Sequence, residues 1–394
     1  MSTMTPPAFW LSPDQTAMLD EADKFAKKEF HPLAARMDDE EWWPEDIFPK
    51  IGEAGYFGLT VPEEYGGQGL DFFTSGLVCQ AFARWNYALA LSWAAHENLC
   101  LNNLYRNSNE RLRRKYLPDL CAGRTIGALG LTEPGAGSDA LGSMRTTAKR
   151  EGDHYVLNGR KIFITNGPIA DVLLVYAKTA PEKGPHGISA FIVEKDFPGF
   201  GVAQKLVKMG FRGSQTGELV FDDCKVPAEN LVGTENMGVS VVMSGLDLER
   251  AVVTPLCVGI GERALELSID YARVREQFGK PIAKFQMVQS KIADMYVWVE
   301  TMKTFCYRVL AECNDLEVGG GGRGMIHALS AASLMYAAET LNKVLNEAVQ
   351  IHGGYGYMWE SEINRLYRAN KLLEIGAGTT EVRKIIISGE ILGR

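Results

Sequence analysis

The sequence predicts an α+β multidomain protein, helical in its first and last parts and built from strands in the middle. Apolar residues recur with helical spacing over residues 1–124 and again over residues 236–394. Between them, residues 125–235 hold short runs rich in β-branched and aromatic residues, separated by Gly- and Pro-containing turns. We therefore expect an N-terminal α-helical domain, a middle antiparallel β domain and a C-terminal bundle of the four-helix type.

The N-terminal part carries clear helix starts. Ser12 followed by a proline is typical of an N-cap with proline in the first turn. A second helix is predicted over residues 43–55. A long apolar helix is predicted from Phe73 to Cys100, with Asp71 or Thr74 as its cap.

The middle part contains only strand signals. Since no helical segment separates the strands, neighbours along the chain are expected to pair antiparallel, in a sheet or a barrel. Asn158-Gly159 between two alternating runs is the usual signature of a tight hairpin. The predicted strands lie at residues 155–157, 161–165, 172–176, 188–193 and 218–221.

The C-terminal part reads as long amphipathic helices, which usually pack as a bundle. Gly319 to Gly322 is interpreted as a flexible connection between two of them, in preference to a phosphate-binding loop. The predicted helices lie at residues 238–273, 285–314, 325–352, 360–373 and 379–392.

Composition excludes some classes of protein. A net charge of −8 over 394 residues argues against nucleic acid, whose phosphates need a basic surface. The seven cysteines show no metal-ligand spacing and are expected to be reduced, buried side chains. No run is long enough for membrane insertion. The first 23 residues hold no Lys or Arg, so we expect a cytoplasmic protein unless a leader has been removed.

Two segments of the middle part are suited to bind a planar, polar ligand. Leu131 to Asp139 packs turn-forming residues around two hydroxyls and offers backbone N–H groups. Phe163 to Gly167 joins an aromatic side chain to a hydroxyl, which can cover a ring and bind its edge. Either segment alone could be a plain loop.

Together, and in this order, the two segments resemble the flavin-contacting segments of the acyl-CoA dehydrogenase family. Further family-like motifs lie at residues 209–216, 275–280, 350–357 and 376–381, so the resemblance covers essentially the whole chain. It implies FAD held between the β domain and the C-terminal helices. It also implies α,β-dehydrogenation of an acyl-CoA, electron transfer to an electron-transfer flavoprotein, and a homotetramer.

The catalytic base is expected at Glu249. Most family members carry a glutamate directly before Gly378-Thr379, where this chain has Ala377. The segment Leu246-Asp-Leu-Glu-Arg250 supplies a carboxylate on another helix, a combination similar to the isovaleryl-CoA dehydrogenase subgroup. Glu374 is the competing candidate, although it is expected to face away.

The resemblance implies roles for many other residues. The FAD contacts would be Leu131, Thr132, Gly137, Ser138, Phe163, Ile164, Thr165, Arg275, Gln286, Gln350, Gly353, Gly354, Thr379 and Glu381, some of them across a subunit interface. The substrate contacts would be Ser138, Leu91, Ala95, Ser240, Asp247, Arg250, Ala377 and Gly378. No metal is implied. The Gly353-Gly354 pair is also a plausible helix C-cap on its residue types alone.

Leu91 and Ala95, one helical turn apart, match positions that leave width for a branched acyl chain, although ordinary core packing has the same spacing. The chain departs from the isovaleryl pattern at Ser240, where a tyrosine is usual, and at Ala369, in place of an aspartate. The acyl group is therefore open between a short or medium branched chain and a longer terpenoid one such as citronellyl. An oxygen-using oxidase or monooxygenase of the same fold, and a non-catalytic flavin-binding protein, are the alternatives.

Overall fold

The computed structural model describes residues 11–315 and 322–393 and contains helices, then strands, then helices, in the predicted order. The first helices are α1 (Pro13–Glu29), α2 (Ala34–Glu40), α3 (Ile47–Glu53), α4 (Phe72–Ala94), α5 (Asn103–Asn107) and α6 (Glu110–Cys121). The predicted loop at Gly319 lies outside the described residues, except for Gly322. Within the described ranges, no helix has both the length and the apolar character that crossing a membrane requires.

Helix α1 begins as its sequence predicts. The Ser12 hydroxyl accepts a hydrogen bond from the Gln15 backbone N–H at 3.1 Å, and the Gln15 side chain accepts one from the Ser12 N–H at 3.0 Å. This reciprocal pair satisfies two of the N–H groups that the first turn would leave unpaired.

The predicted helix over residues 73–100 is continuous in the chain but not in conformation. Of the two candidate caps, Asp71 is the one whose carboxylate accepts from the Thr74 N–H, at 2.7 Å. Asn86 interrupts α4 with φ −156° and ψ 91°, and its side-chain oxygen caps the second half by accepting from the N–H groups of Ala88 and Leu89. A π-helix at Ala95–Asn102 then continues α4 into α5. Such π segments are frequent at functional sites.

The β part is an open, mixed sheet, so the expectation of a purely antiparallel sheet was wrong. Its strands are β1 (Gly127–Gly130), β2 (Thr147–Glu151), β3 (His154–Thr165), β4 (Val172–Lys178), β5 (Ile188–Glu194), β6 (Phe200–Lys205), β7 (Thr216–Pro227) and β8 (Leu231–Val232). They run in the order β6-β7-β3-β2-β4-β5-β8, with β1 parallel to β4. Parallel pairing needs a long crossover, and the β2–β3 hairpin supplies it between β1 and β4.

Asn158-Gly159 does not form the predicted hairpin turn. The two residues lie inside β3, where the register against β7 shifts between Leu157 and Gly159, and the turn that joins β2 to β3 contains Gly152 instead. A Cβ on Gly159 would lie 2.4 Å from Thr146 Oγ1. The glycine therefore permits a close approach within the sheet, which in sequence looks the same as a turn.

The C-terminal part is α7 (Gly238–Val274), α8 (Gln286–Cys313), α9 (Met325–His352), α10 (Gly354–Tyr357), α11 (Glu362–Ile375) and α12 (Thr380–Leu392), with the short strands β9 (Glu276–Gln277) and β10 (Lys280–Pro281) after α7. Helix α7 packs against α8 and α9, and also against α4. As a result, the N-terminal and C-terminal helices share one hydrophobic core. All seven cysteines are free and buried, as their interpretation as small core residues predicted.

Candidate active site

Glu249 lies on α7, about three turns from the start of the helix. The residue is partly buried, and no group in residues 11–315 or 322–393 forms a hydrogen bond or ion pair with its carboxylate. Burial raises the pKa of Glu249 to about 7, although the positive charges of Arg250 and Arg383 act in the opposite direction. A carboxyl without protein partners and with a pKa near neutrality has the properties of a general base.

Arg250 connects α7 to the loop between α11 and α12. Its Nε donates to the carbonyl oxygen of Ala377 at 3.0 Å. Ala377 has φ +55°, which is costly for a residue with a Cβ, and Gly378 follows with φ +92°. The loop thus makes a sharp left-handed turn at Ala377, where the resemblance implies a glutamate in most members. Strain of this kind is common at functional sites.

Asp247 has protein partners on both of its carboxylate oxygens. The side chain is fully buried, and Oδ1 lies 3.2 Å from Arg250 Nη1 and 2.5 Å from His327 Nδ1. Oδ2 accepts a hydrogen bond from the Gly322 N–H. The resemblance implies a substrate contact for Asp247, and in the structure its carboxylate binds Arg250, His327 and the Gly322 N–H.

Arg383 was not singled out by any motif, yet it is fully buried beside the same loop. It extends from α12 and donates to the carbonyl oxygens of Leu373, at 2.9 Å, and Gly376. Burial lowers the pKa of this guanidinium to about 10. Arg250 on α7 and Arg383 on α12 therefore both hold this loop. The spacing of residues along α12 could not have shown in advance that Arg383 is buried.

Two polar residues near Glu249 also went unpredicted. Asn103 Nδ2 lies 3.5 Å from the Tyr176 hydroxyl, and a Cβ added to Gly245 would meet the same nitrogen at 2.5 Å. Gly245 precedes Glu249 by about one turn of α7. Burial, and to a smaller extent the charge of Glu249, raises the pKa of Tyr176. Tyr176 therefore stays protonated near the base.

Glu374, the competing candidate for the base, has a different environment. Its carboxylate pairs with Lys371 at 2.5 Å, and the ammonium of Lys371 is exposed to solvent. Glu374 therefore differs from Glu249 in having an ion-pair partner at the surface.

The two segments expected to contact flavin lie side by side. The Ile162 N–H donates to the Thr132 carbonyl at 2.9 Å, and the buried Lys161 ammonium donates to the Leu131 carbonyl at 3.1 Å. Lys161 also pairs with the buried carboxylate of Glu133 at 2.8 Å. These bonds fix the first segment against β3.

Phe163 is the most unusual residue of the second segment. It is 66% exposed and has φ +61°, at a point where the register between β3 and β7 shifts. Ile164 is buried behind it and Thr165 is partly exposed. In the first segment Gly137 and Ser138 are also exposed, and a Cβ on Gly137 would meet nothing within 4 Å. A bulge therefore turns an aromatic ring outwards at an open surface.

A second group of predicted cofactor residues meets at the far end of α7. Arg275 and the Gly353-Gly354 pair line one cleft of about 550 Å³, beside Tyr271 and His352, whose rings stack. Gly353 also caps α9 with φ +58°, so the helix C-cap considered for it is confirmed. Gln286 and Gln350 are exposed on α8 and α9.

The cleft at Arg275 is far from Glu249 along α7. Arg275 directly follows the last residue of this helix and comes 26 residues after Glu249, which corresponds to about 39 Å at about 1.5 Å per residue. The predicted cofactor residues at this cleft therefore lie at a distance from the candidate base.

The remaining predicted residues fall near the ends of helices. Ala95 is buried, and its N–H bonds the carbonyl of the partly buried Leu91, so the two share a helix face. Ser240 is exposed in the first turn of α7. Thr379 caps α12 by accepting from the Val382 N–H at 3.3 Å, and Glu381 is exposed in the first turn of that helix.

Arg368, beside the departure at Ala369, is satisfied by other partners. Its guanidinium pairs with Asp38 of α2 and donates to the Met209 carbonyl at 2.7 Å. Ala369 is fully buried in the shared core. Although alanine stands at residue 369 in place of the usual aspartate, Arg368 still has a carboxylate partner in Asp38.

The sequence and the fold both match known proteins. The chain matches the family descriptions "Acyl-CoA dehydrogenase, N-terminal domain" over residues 12–124, "middle domain" over residues 128–224 and "C-terminal domain" over residues 236–392. It is 44% identical to a mitochondrial isovaleryl-CoA dehydrogenase of Pongo abelii, over 96% of this chain and 88% of the relative. It is 40% identical to an acyl-CoA dehydrogenase of Bacillus subtilis, over 96% of this chain and 98% of that relative.

Solved structures agree. Butyryl-CoA dehydrogenase from Megasphaera elsdenii superposes with a TM-score of 0.91 at 37% identity, covering 97% of this chain and 99% of that one. A structure described as an FAD complex of PigA superposes with a TM-score of 0.90 at 32% identity, and the match covers 97% of this chain and 98% of that one. The predicted fold class is confirmed, with the sheet corrected to a mixed one. The chain belongs to the acyl-CoA dehydrogenase family, flavoprotein oxidoreductases that act on CH–CH bonds.

Proposed function

We propose that the protein oxidises a short- or medium-chain branched acyl-CoA, similar to isovaleryl-CoA, to the 2-enoyl-CoA, with Glu249 as the base. The observation that carries this proposal is a carboxyl on α7 that has no hydrogen-bond or ion-pair partner in the described part of the chain and whose pKa burial raises to about 7. The neighbouring residue on the same helix, Arg250, donates a hydrogen bond from Nε to the Ala377 carbonyl oxygen at 3.0 Å. The isovaleryl-CoA dehydrogenases among the relatives support the substrate class.

Two groups of this chain act on the substrate, the Glu249 carboxylate and the backbone N–H of Ala377. Glu249 removes the proton from the carbon next to the thioester carbonyl, as the carbon–carbon double bond forms. That proton is weakly acidic, so the carbonyl must be polarised at the same time. The backbone N–H of Ala377 would donate to the thioester oxygen, because Arg250 and Arg383 hold that loop in its left-handed turn.

FAD is the cofactor that fits the chain. When bound, it accepts the hydride that leaves the β carbon. Support comes from the outward-turned ring of Phe163, the open space at Gly137 and the hydrogen bond between Ile162 and Thr132. Thr165 and Ser138 would supply hydroxyls beside the ring system.

The far cleft at Arg275 supports binding of the other end of FAD by a second protomer. Because Arg275 lies about 39 Å along α7 from Glu249, at about 1.5 Å per residue, we propose that the phosphates and adenosine are held by the partner's copy of this cleft. Exposed apolar residues on the C-terminal helices, such as Tyr296, Val297 and Ile385, are 49%, 55% and 70% exposed, as expected of helices that pack in a homotetramer. An electron-transfer flavoprotein is the proposed acceptor of the electrons.

The experiment that tests this function is anaerobic mixing with acyl-CoA thioesters. The purified protein should be yellow, and isovaleryl-CoA should bleach its flavin. A panel of straight, branched and terpenoid acyl-CoA substrates then measures the acyl preference. Ser240 is small and exposed, which favours a longer branched chain such as citronellyl-CoA as the second candidate.

Two results would redirect the proposal. Bleaching followed by rapid oxygen consumption would favour an oxidase. A protein that binds FAD but is not bleached by any acyl-CoA would be a non-catalytic member of the family.

A further inference from the structure

The contacts of Asp247 lead to a histidine that no motif singles out. His327 lies on the first turn of α9 and is 6% exposed, and its Nδ1 is 2.5 Å from Asp247 Oδ1. Arg250 and the Gly322 N–H donate to the same carboxylate. A carboxylate oxygen accepts hydrogen bonds, so the tautomer of His327 with hydrogen on Nδ1 is the one that donates to Asp247.

These bonds form a chain that reaches the loop between α11 and α12. Asp247 binds the Nη1 end of Arg250, and the Nε of the same guanidinium binds the Ala377 carbonyl at 3.0 Å. A guanidinium is planar and rigid, so a tilt at one end displaces its hydrogen bond at the other. The position of Ala377 thus depends on how firmly Asp247 is held.

We propose that His327 is a positioning residue for the thioester-binding N–H of Ala377, acting through Asp247 and Arg250. This rests on the proposed function. The loop needs such a hold because Ala377 has φ +55°, a conformation that persists only where the surroundings impose it. The Arg383 bonds hold the loop from its other side. His327 thereby links α9 to the reaction without touching substrate.

Two substitutions separate positioning from folding. His327→Leu removes the N–H donor at similar volume, whereas His327→Asn keeps an N–H near the position of Nδ1. We expect His327→Leu to lower the rate constant of flavin reduction by about 10- to 100-fold, since small misplacements of catalytic donors cost about that much. The dissociation constant of the acyl-CoA should change by less than about threefold, because a hydrogen bond to the thioester oxygen strengthens mainly as charge develops in the reaction. His327→Asn should recover most of the rate.

A matched control lies on the same helix. Ser330 is buried on α9, and its hydroxyl donates to the His327 carbonyl at 3.3 Å without touching Asp247. Ser330→Ala should reduce flavin at the wild-type rate. A loss in Ser330→Ala equal to that in His327→Leu would assign the effect to the packing of α9 and overturn the proposal.

A spectroscopic readout is independent of turnover. The infrared stretching frequency of the thioester carbonyl in bound 2-enoyl-CoA falls when its oxygen accepts a hydrogen bond. We expect a higher frequency in His327→Leu than in the wild type and in His327→Asn. If the Leu variant does not fold, His327→Ala with added imidazole replaces it, and imidazole should restore both the rate and the low frequency.

The outcomes separate this proposal from the proposed function. A wild-type protein that no acyl-CoA can bleach contradicts the function. Bleaching in the wild type, with unchanged rate and carbonyl frequency in His327→Leu, contradicts the role of His327 alone.

Discussion

Glu249 should give the reaction its pH dependence. Burial raises its pKa to about 7, so below that pH the carboxyl is protonated and cannot accept a proton from substrate. We predict that kcat/KM falls about tenfold per pH unit below pH 7 and levels off above it. The measurement is kcat/KM from pH 5 to 9. A profile that is flat between pH 6 and pH 8 would contradict the role of this carboxyl.

The same shift should reduce stability. A carboxyl whose pKa rises from 4.5 in the unfolded chain to about 7 in the fold binds its proton more tightly when folded. Its contribution to stability is therefore lost as the pH rises from 4.5 to 7. Glu249→Gln should be more stable than the wild type at pH 8, by at most about 3 kcal/mol at 1.36 kcal/mol per unit, and by much less at pH 5. Melting temperatures of both proteins at the two pH values test this, and an equal difference at both pH values would contradict it.

The sequence predicts Glu249 as the base because the alanine at residue 377 and the glutamate in Leu246–Arg250 together resemble the isovaleryl-CoA dehydrogenase subgroup. It could not identify Arg383, Tyr176 or His327. Each lies in an ordinary amphipathic or apolar run, and each becomes relevant only because the fold brings it beside Asp247, Glu249 or Arg250. Side-chain hydrogen bonds between distant elements leave no periodic trace in the sequence.

Among the elements, the irregular part of β3 is the sharpest test of the fold. A Cβ on Gly159 would lie 2.4 Å from Thr146 Oγ1 and 2.7 Å from Thr146 Cα, closer than real contacts allow. We predict that Gly159→Ala destabilises the protein by about 1–3 kcal/mol, the usual cost of overpacking. Urea unfolding measures the change.

Gly152, in the turn at the other end of the same hairpin, is the matched control. Its φ of +64° is unfavourable for alanine, but a Cβ there would meet nothing within 4 Å. Gly152→Ala should therefore cost about 1 kcal/mol, the price of the left-handed conformation alone. A loss in Gly159→Ala no larger than that in Gly152→Ala would mean that the close approach to Thr146 is absent.

Helix starts and long helices were predictable because their signals are local. The cap at Ser12 and the extent of α9, at residues 325–352, agree with the sequence. The interruption at Asn86 was not predictable, since it depends on a hydrogen bond from the Asn86 side chain to the distant carbonyl of Phe30, at 3.2 Å. The glycine of β3 was misinterpreted for the same reason: its partner, Thr146, lies on a neighbouring segment.

At the scale of the whole molecule, the separation of about 39 Å along α7 between Glu249 and Arg275 predicts that protomers share their cofactor sites. The double variant Phe163→Ala/Thr165→Ala should weaken binding of the flavin ring. A second variant, Arg275→Glu, should weaken binding of the phosphates and adenosine. In a co-expressed mixture, an oligomer of the two variants carries one intact site and one doubly defective site. FAD content and activity should therefore recover in the mixture.

The single variants, purified and mixed without exchange of subunits, are the control and should stay deficient. A co-expressed mixture that remains as deficient as the single variants would place the whole FAD site within one protomer. A monomeric mass in solution at micromolar concentration would contradict the homotetramer as well.

The order of helical, β and helical parts was readable from the sequence, because each part has its own periodicity. The shared core of α4 with α7 was not, since apolar faces show only that a helix is buried and not what it packs against. That packing fixes α7, and with it Glu249, against the first helices. The parallel pairing of β1 with β4 likewise depends on a connection across more than forty residues.

Rapid anaerobic mixing of Glu249→Gln with isovaleryl-CoA tests the central claim most directly. Glutamine keeps the shape and hydrogen bonding of the side chain but cannot take the proton, and Glu374→Gln is the matched control. We predict that the acyl-CoA still binds, and that flavin reduction falls by about 10²- to 10⁴-fold in Glu249→Gln while Glu374→Gln stays near the wild type. Adding Ala377→Glu to Glu249→Gln should restore part of the rate. Near-normal reduction in Glu249→Gln, with the large loss in Glu374→Gln instead, would contradict the assignment of the base.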